Sequence, residues 1–151
     1  MQTRSSIAAD LERLGASGGQ LLMVHSSLSS LGYVVGGAQT VVGALLDVLG
    51  PRGTLVMPSF SPQISDPSTW ADPAFKGEAL DIVRDNLPTF DPAITPTGMG
   101  AIAETFRTWP GVLRSGHPQV SVTALGPLVQ KIVASHDLPW GQGAGSPFQR
   151  L

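Results

Sequence analysis

"AQTVVGALLDVLGPRGTLVMPSF", residues 38–60, decides the fold, because it reads as a helix, a stop and a strand in direct succession. Val41, Val42, Leu45, Leu46 and Leu49 recur at helical spacing, so one face of the segment is apolar and turns inward. Gly50 and Pro51 end it, the first by leaving helical geometry and the second because its ring cannot continue a helix. "TLVMPSF" then runs apolar without alternation, as a strand covered on both faces does. Upstream, "QLLMV" at residues 20–24 has the same buried-strand character. Strand, helix and strand in that order make a βαβ unit. The expected fold is therefore α/β, with a partly parallel sheet flanked by helices.

Working outward, Ser5 or Ser6 is placed to cap a first helix whose Ile7, Leu11 and Leu14 face inward and which Gly15 ends. From Pro62 to Pro96 regular structure fades, and a long irregular excursion inside a domain is usually functional or mobile. Order returns in "TGMGAIAETFR", where Met99, Ile102, Ala103 and Phe106 repeat at helical spacing behind a Thr97 cap. "QVSVTALG" at 119–126 reads as a strand, and "PLVQKIVASH" at 127–136 as a helix with Pro127 in its first turn and His136 as its cap. Ser146-Pro147 begins another helix, which runs into Leu151. With no repeat and no linker, residues 1–151 are expected to form a single domain. Its arrest at a helix start is expected of a truncated one.

Composition narrows the function. Hydrophobic residues make up 42% and charged residues 13%, enough to bury a core. A formal net charge of −2 gives no footprint for nucleic acid. The absence of cysteine excludes disulfides, thiolate metal sites and a cysteine nucleophile. "MQTRSSIAADLERLG" lacks the apolar core of a signal peptide, and no stretch is long enough for a membrane span, so a cytoplasmic protein is expected. Seven of the eleven acids fall between residues 61 and 104, beside only Lys76 and Arg84. That pattern fits a solvated surface, and equally an acidic wall that concentrates a cationic substrate.

"LLMVHSSLSSLG", residues 21–32, carries the candidate chemistry, because ligands of open α/β sheets sit beyond the carboxyl ends of the strands. Its serines and amides suit a pyrophosphate, with Gly32, Gly36 and Gly37 permitting close approach; a plain polar turn is the competing reading. "TPTGMG" before the third helix is a second candidate donor site. "GASGG" at 15–19 matches a nucleophile-elbow pattern but precedes the first strand, so it reads as a turn. His25, at the end of that strand, is the best general-base candidate, against a structural histidine bonding a neighbouring carbonyl. No His, Asp or Glu spacing matches a metal motif.

Several stretches together carry a family resemblance: "VHSSLSSLG", "GPRGTLVMPSF", "DPSTWADPAF", "LPTFDPAITPTGMGAIAETFRTWPGVLRSGHPQVSVTALG" and "GQGAGSPFQRL". In order and spacing they resemble the aminoglycoside N-3-acetyltransferases, with residues 87–126 the most specific part. The resemblance implies a fold unlike the common GNAT acetyltransferases. It implies transfer of acetyl from acetyl-CoA to the 3-amino group of the 2-deoxystreptamine ring of an aminoglycoside, and hence antibiotic resistance. It assigns Ser26, Ser27, Gly98, Met99, Gly100, Ser115, His117 and Ser121 to the cofactor channel, with His25 near the reacting end. Asp66, Asp72 and Glu104 become candidate contacts for the polycationic drug. Family members continue past "GSPFQRL" to a later threonine–histidine–glutamate constellation that includes the expected base. The alternative expectation is accordingly an inactive fragment or CoA-binding remnant, open to self-association through an uncompleted sheet.

Overall fold

A computed structural model describes residues 1–151. Helix α1 spans Arg4–Arg13, and its cap is Thr3, not Ser5 or Ser6. The Thr3 hydroxyl accepts the Ser6 amide and the Ser6 hydroxyl accepts the Thr3 amide, so a reciprocal box satisfies two donors where a single serine would satisfy one. Ile7 is buried as expected, whereas Leu14 lies past the helix end and is 84% exposed. Helix α2, Gly37–Leu49, buries Val41, Val42, Leu45, Val48 and Leu49. Arg4 clamps it with two bonds to Asp47, at 2.6 and 2.7 Å, over Gly43, where a Cβ would meet the guanidinium.

The sheet has the order β1-β2-β4-β3. Strand β1, Leu21–Met23, pairs in parallel with β2, Thr54–Pro58, so the βαβ reading holds. Strand β4, Val122–Leu125, runs antiparallel to β2, and the two-residue β3, Leu113–Arg114, runs antiparallel to β4. The sheet is thus only partly parallel. Every residue of β2 is buried, but β1, expected to be buried as well, is half-buried throughout and lies at the edge of the sheet.

Side chains of β2 alternate between two cores. Leu55 and Met57 pack with α1, α2 and Phe106 of α4, Ala101–Arg107. Val56 packs on the other face with Val122, Ala124 and Ile132 of α5, Val129–Val133. The turn after β4 depends on Gly126, whose φ of +131° excludes most side chains and whose added Cβ would lie 2.2 Å from the Gly53 carbonyl oxygen. Gly126→Ala is expected to cost about 2 kcal/mol. A lower urea midpoint at unchanged slope would show it.

Four local expectations change. The excursion holds two 3-10 turns, Pro62–Ile64 and Pro67–Thr69, and a nine-residue helix α3, Glu78–Asn86, none of whose residues is buried. Thr97 does not cap α4, which starts after Gly100; the Thr97 hydroxyl instead donates to the Phe60 carbonyl and accepts the Met99 amide. Helix α5 is shorter than the expected 127–136, so Pro127 stands before it and His136 beyond it. Pro147–Arg150 is a 3-10 turn. No helix is long and apolar enough to cross a membrane.

Candidate functional site

The carboxyl ends of β1 and β2 open side by side. Past β1 the Val24 amide still bonds the Val56 carbonyl at 2.9 Å, and the chain then turns away through His25, Ser26 and Ser27 into a 3-10 turn over Leu28–Leu31. The backbone N–H groups of Ser26, Ser27, Leu28 and Ser29 make no hydrogen bond within the chain. Past β2 the Phe60 carbonyl accepts two bonds, from the Gly98 amide at 2.7 Å and from the Thr97 hydroxyl at 2.9 Å. That double anchor swings residues 98–101 against the serine loop.

Between the two segments lies an open cleft of about 670 Å³, lined by Ser26, Ser27, Leu28, Ser29, Gly32, Gly98, Met99, Gly100 and Ala101. It brings together five of the expected cofactor residues: Ser26, Ser27, Gly98, Met99 and Gly100. Their parts differ from the sequence reading, however. The Gly98 and Met99 amides are already spent inside the chain, so the free donors come from the serine loop and, on the facing wall, from Gly100 and Ala101. Gly32 and Gly100, both at positive φ, leave open space where side chains would narrow the cleft.

Ser115, His117 and Ser121 are not brought to this cleft. Ser121 is fully buried; its hydroxyl donates to the Ser59 carbonyl at 2.7 Å and accepts Arg114 Nε at 2.9 Å. Ser115 is fully buried as well, accepting the Val122 amide and bonding His136 Nδ1 at 2.8 Å. His117 is 6% exposed, and its ring stands 4.7 Å from that of His136. His136 is therefore no helix cap: it is 9% exposed and bonds the Gly141 carbonyl.

Arg114 is the residue the sequence reading missed. Its guanidinium donates to the Ser59 and Thr95 carbonyls and the Ser61 and Ser121 hydroxyls, and it lies 5.0 Å above the Phe90 ring. Burial, reinforced by the Arg107 charge and opposed by Glu104, pulls its pKa down to about 10, still charged at neutral pH. One cation thereby ties β3, β4, the exit of β2 and the end of the excursion together. An arginine beside "SGHP" carried no signal for this, since arginine in a polar stretch reads as solvated.

The three candidate drug-contacting acids differ. Asp66 caps the Pro67–Thr69 turn through the Ser68 amide and pairs with Arg84 at 3.1 Å, which together hold its pKa below the usual range. The Arg107 guanidinium, then the Thr97 amide, hold Glu104 low against the opposing effect of burial. Asp72 is exposed and has no ion-pair partner. His25 is exposed without a hydrogen-bond partner and lines a neighbouring groove with Leu11 and Leu14 of the α1 side. No group of three His, Asp or Glu side chains converges on a metal-sized site.

The profile of a family described as aminoglycoside 3-N-acetyltransferase matches residues 23–151. The chain belongs to that family. It is 46% identical over 152 residues to the SPbeta prophage-derived aminoglycoside N(3')-acetyltransferase-like protein YokD of Bacillus subtilis (strain 168), covering 99% of this chain and 56% of that one. The crystal structure of YokD superposes with a TM-score of 0.94 over the same shares. A structure of AAC-IIIb in binary complex with CoASH matches at 36% identity and a TM-score of 0.83, covering 99% of this chain and 55% of the other. AAC-VIa bound to sisomicin matches at 33% and 0.83, with the same coverage. The chain spans about half the length of the curated relatives it matches. The four-stranded sheet with its helices is the arrangement these structures share.

Proposed function

We propose that these residues form the acetyl-CoA site of an enzyme that acetylates the 3-amino group of the 2-deoxystreptamine ring of aminoglycosides, in the cytoplasm. The observation that carries this reading is the run of four unpartnered amides, Ser26 to Ser29, facing a glycine-rich wall across the cleft. Adjacent free N–H groups form an anion-binding concavity, which suits the pyrophosphate of CoA, and the Ser26 and Ser27 hydroxyls extend it. The family match and the CoASH-bound relative support the assignment. Acetyl-CoA supplies the thioester that the drug amine cleaves: a C–N bond forms, the C–S bond breaks, and the amine proton must pass to a base while CoA leaves as its thiol. Orientation in the cleft contributes part of the rate.

The acids supply the attraction for a polycation. Asp72, free of any arginine, is the strongest candidate contact, while Asp66 and Glu104 contribute field already shared with Arg84 and Arg107. Of the three imidazoles only His25 reaches solvent, so a base within these residues is His25. Its lack of an orienting partner favours a second reading, a CoA-binding unit that relies on a base elsewhere.

Two measurements test this. Calorimetric titration with CoA is expected to show Ser27→Glu binding at least about tenfold more weakly, because a carboxylate in the concavity repels the pyrophosphate. Equal affinities would overturn the site. Thiol release with acetyl-CoA and an aminoglycoside panel separates the two readings. Turnover that His25→Ala cuts at least about tenfold supports catalysis here, and binding without turnover supports the CoA-binding unit.

A further inference from the structure

We propose that His117 and His136 form an acid-opened clasp that fastens residues 137–150 to the turn between β3 and β4. The inference is independent of the acetyl-transfer reading and rests on how the two rings are bonded. His117 Nδ1 accepts two backbone amides, those of Gln119 and Val120, each at 3.1 Å, so the ring hydrogen sits on Nε2 and points at the Leu138 carbonyl 3.3 Å away. His136 Nε2 lies 2.5 Å from the Gly141 carbonyl and must donate there, which leaves Nδ1 to accept the Ser115 hydroxyl at 2.8 Å. Both rings are thus held as the neutral Nε2–H tautomer, and both donate into the same loop.

A proton on His117 Nδ1 would set an N–H against two N–H donors. A proton on His136 Nδ1 would expel the Ser115 hydroxyl hydrogen from its acceptor. Either event places a cation in a site where the two rings are 4.7 Å apart and almost fully buried.

The titratable and charged groups facing His136 are His117 from the turn before β4, Asp137 beside it in sequence, and Arg150 from the last 3-10 turn; Ser115 and Phe148 complete its surroundings. Burial is the main cause that pulls the His136 pKa below its ordinary value, with Gly141 and Asp137 opposing and His117 and Arg150 reinforcing. Since the unfolded chain binds this proton more readily, the clasp's stabilisation is complete above the ordinary imidazole pKa and is lost as pH falls through the depressed one. The segment it fastens carries Trp140, which is 62% exposed, and Arg150, which donates back to the Ile132 and Ser135 carbonyls. Opening therefore removes two of its anchors, at Leu138 and Gly141, and weakens the rest.

The test is nitrogen-15 NMR of the histidine rings together with amide exchange, corrected for intrinsic rates, from about pH 8 to about pH 5. At the upper end both buried rings should show the Nε2–H tautomer. As pH falls, protection in residues 138–150 should drop about tenfold per pH unit for each proton taken up, while α2 and β2 stay protected. The double variant His117→Asn, His136→Gln keeps an acceptor for the two amides and a donor to Gly141 but cannot titrate, and its protection should not change with pH. An Nδ1–H tautomer in either ring, pH-independent protection in the wild type, or the same loss in the double variant would overturn the clasp. Should the variant not fold, the wild-type tautomers and titration decide the matter alone.

Discussion

Replacing Phe106 with alanine is expected to lower stability by about 3–5 kcal/mol, the range for truncating a fully buried aromatic ring. Phe106 has no exposed surface and is the largest fully buried side chain. It belongs to the core that joins Leu55 and Met57 of β2 to Val42 and Leu45 of α2, so removing it opens a void between layers that cannot collapse without moving both helices. Because α4 follows directly on Gly98–Gly100, that movement reaches the cleft. Phe106→Leu, which keeps most of the volume, should recover more than half of the loss. Chemical denaturation at fixed pH measures both. A loss under about 1 kcal/mol for Phe106→Ala would mean that α4 does not close this core.

Arg114→Ala is expected to cost about 3 kcal/mol, and Arg114→Lys nearly as much. The guanidinium serves two carbonyls and two hydroxyls at once, in a geometry one ammonium cannot reproduce. Alanine leaves the Thr95 carbonyl without this partner and removes the cation from above Phe90. Ser121 still donates to the Ser59 carbonyl and Ser61 to that of Pro96, which is why the expected loss is well below the sum of the separate bonds. The excursion should loosen first, seen as faster proteolysis near residues 86–95 before any change in β2. A lysine variant as stable as the wild type would show that charge alone, not the four-way fork, holds these segments.

The βαβ unit was legible because α2 displays its apolar face at clean helical spacing and ends at Gly50-Pro51. The edge position of β1 was not, since an apolar run looks the same whether a second neighbour covers it or not. Helix α3 escaped notice because it buries nothing: with Ile82 56% exposed, its pattern has no core to point at. The cap errors at Thr3 and Thr97 have one cause, that hydroxyls near a helix start bond several backbone partners and the sequence does not say which.

At the site, the serine loop and "GMG" could be found from their places at strand and helix ends, which is where open α/β sheets gather ligands. What the sequence could not show is that Gly98 and Met99 use their amides internally. Nor could it separate Ser115, His117 and Ser121, folded inward, from the exposed serines after β1. Small polar residues flanking a strand read alike whether they line a channel or sit beneath it. The roles of His117 and Arg114 depend in part on partners distant in sequence, such as Leu138 and Ser59.

The measurement that tests the central claim most directly is the amide spectrum of the 151-residue chain titrated with acetyl-CoA. Saturable shifts should concentrate at Ser26–Ser29 and Gly98–Ala101, with Ser115 and Ser121 changing little. Shifts centred elsewhere, or none at saturating ligand, would contradict the assignment of the serine loop as the cofactor site.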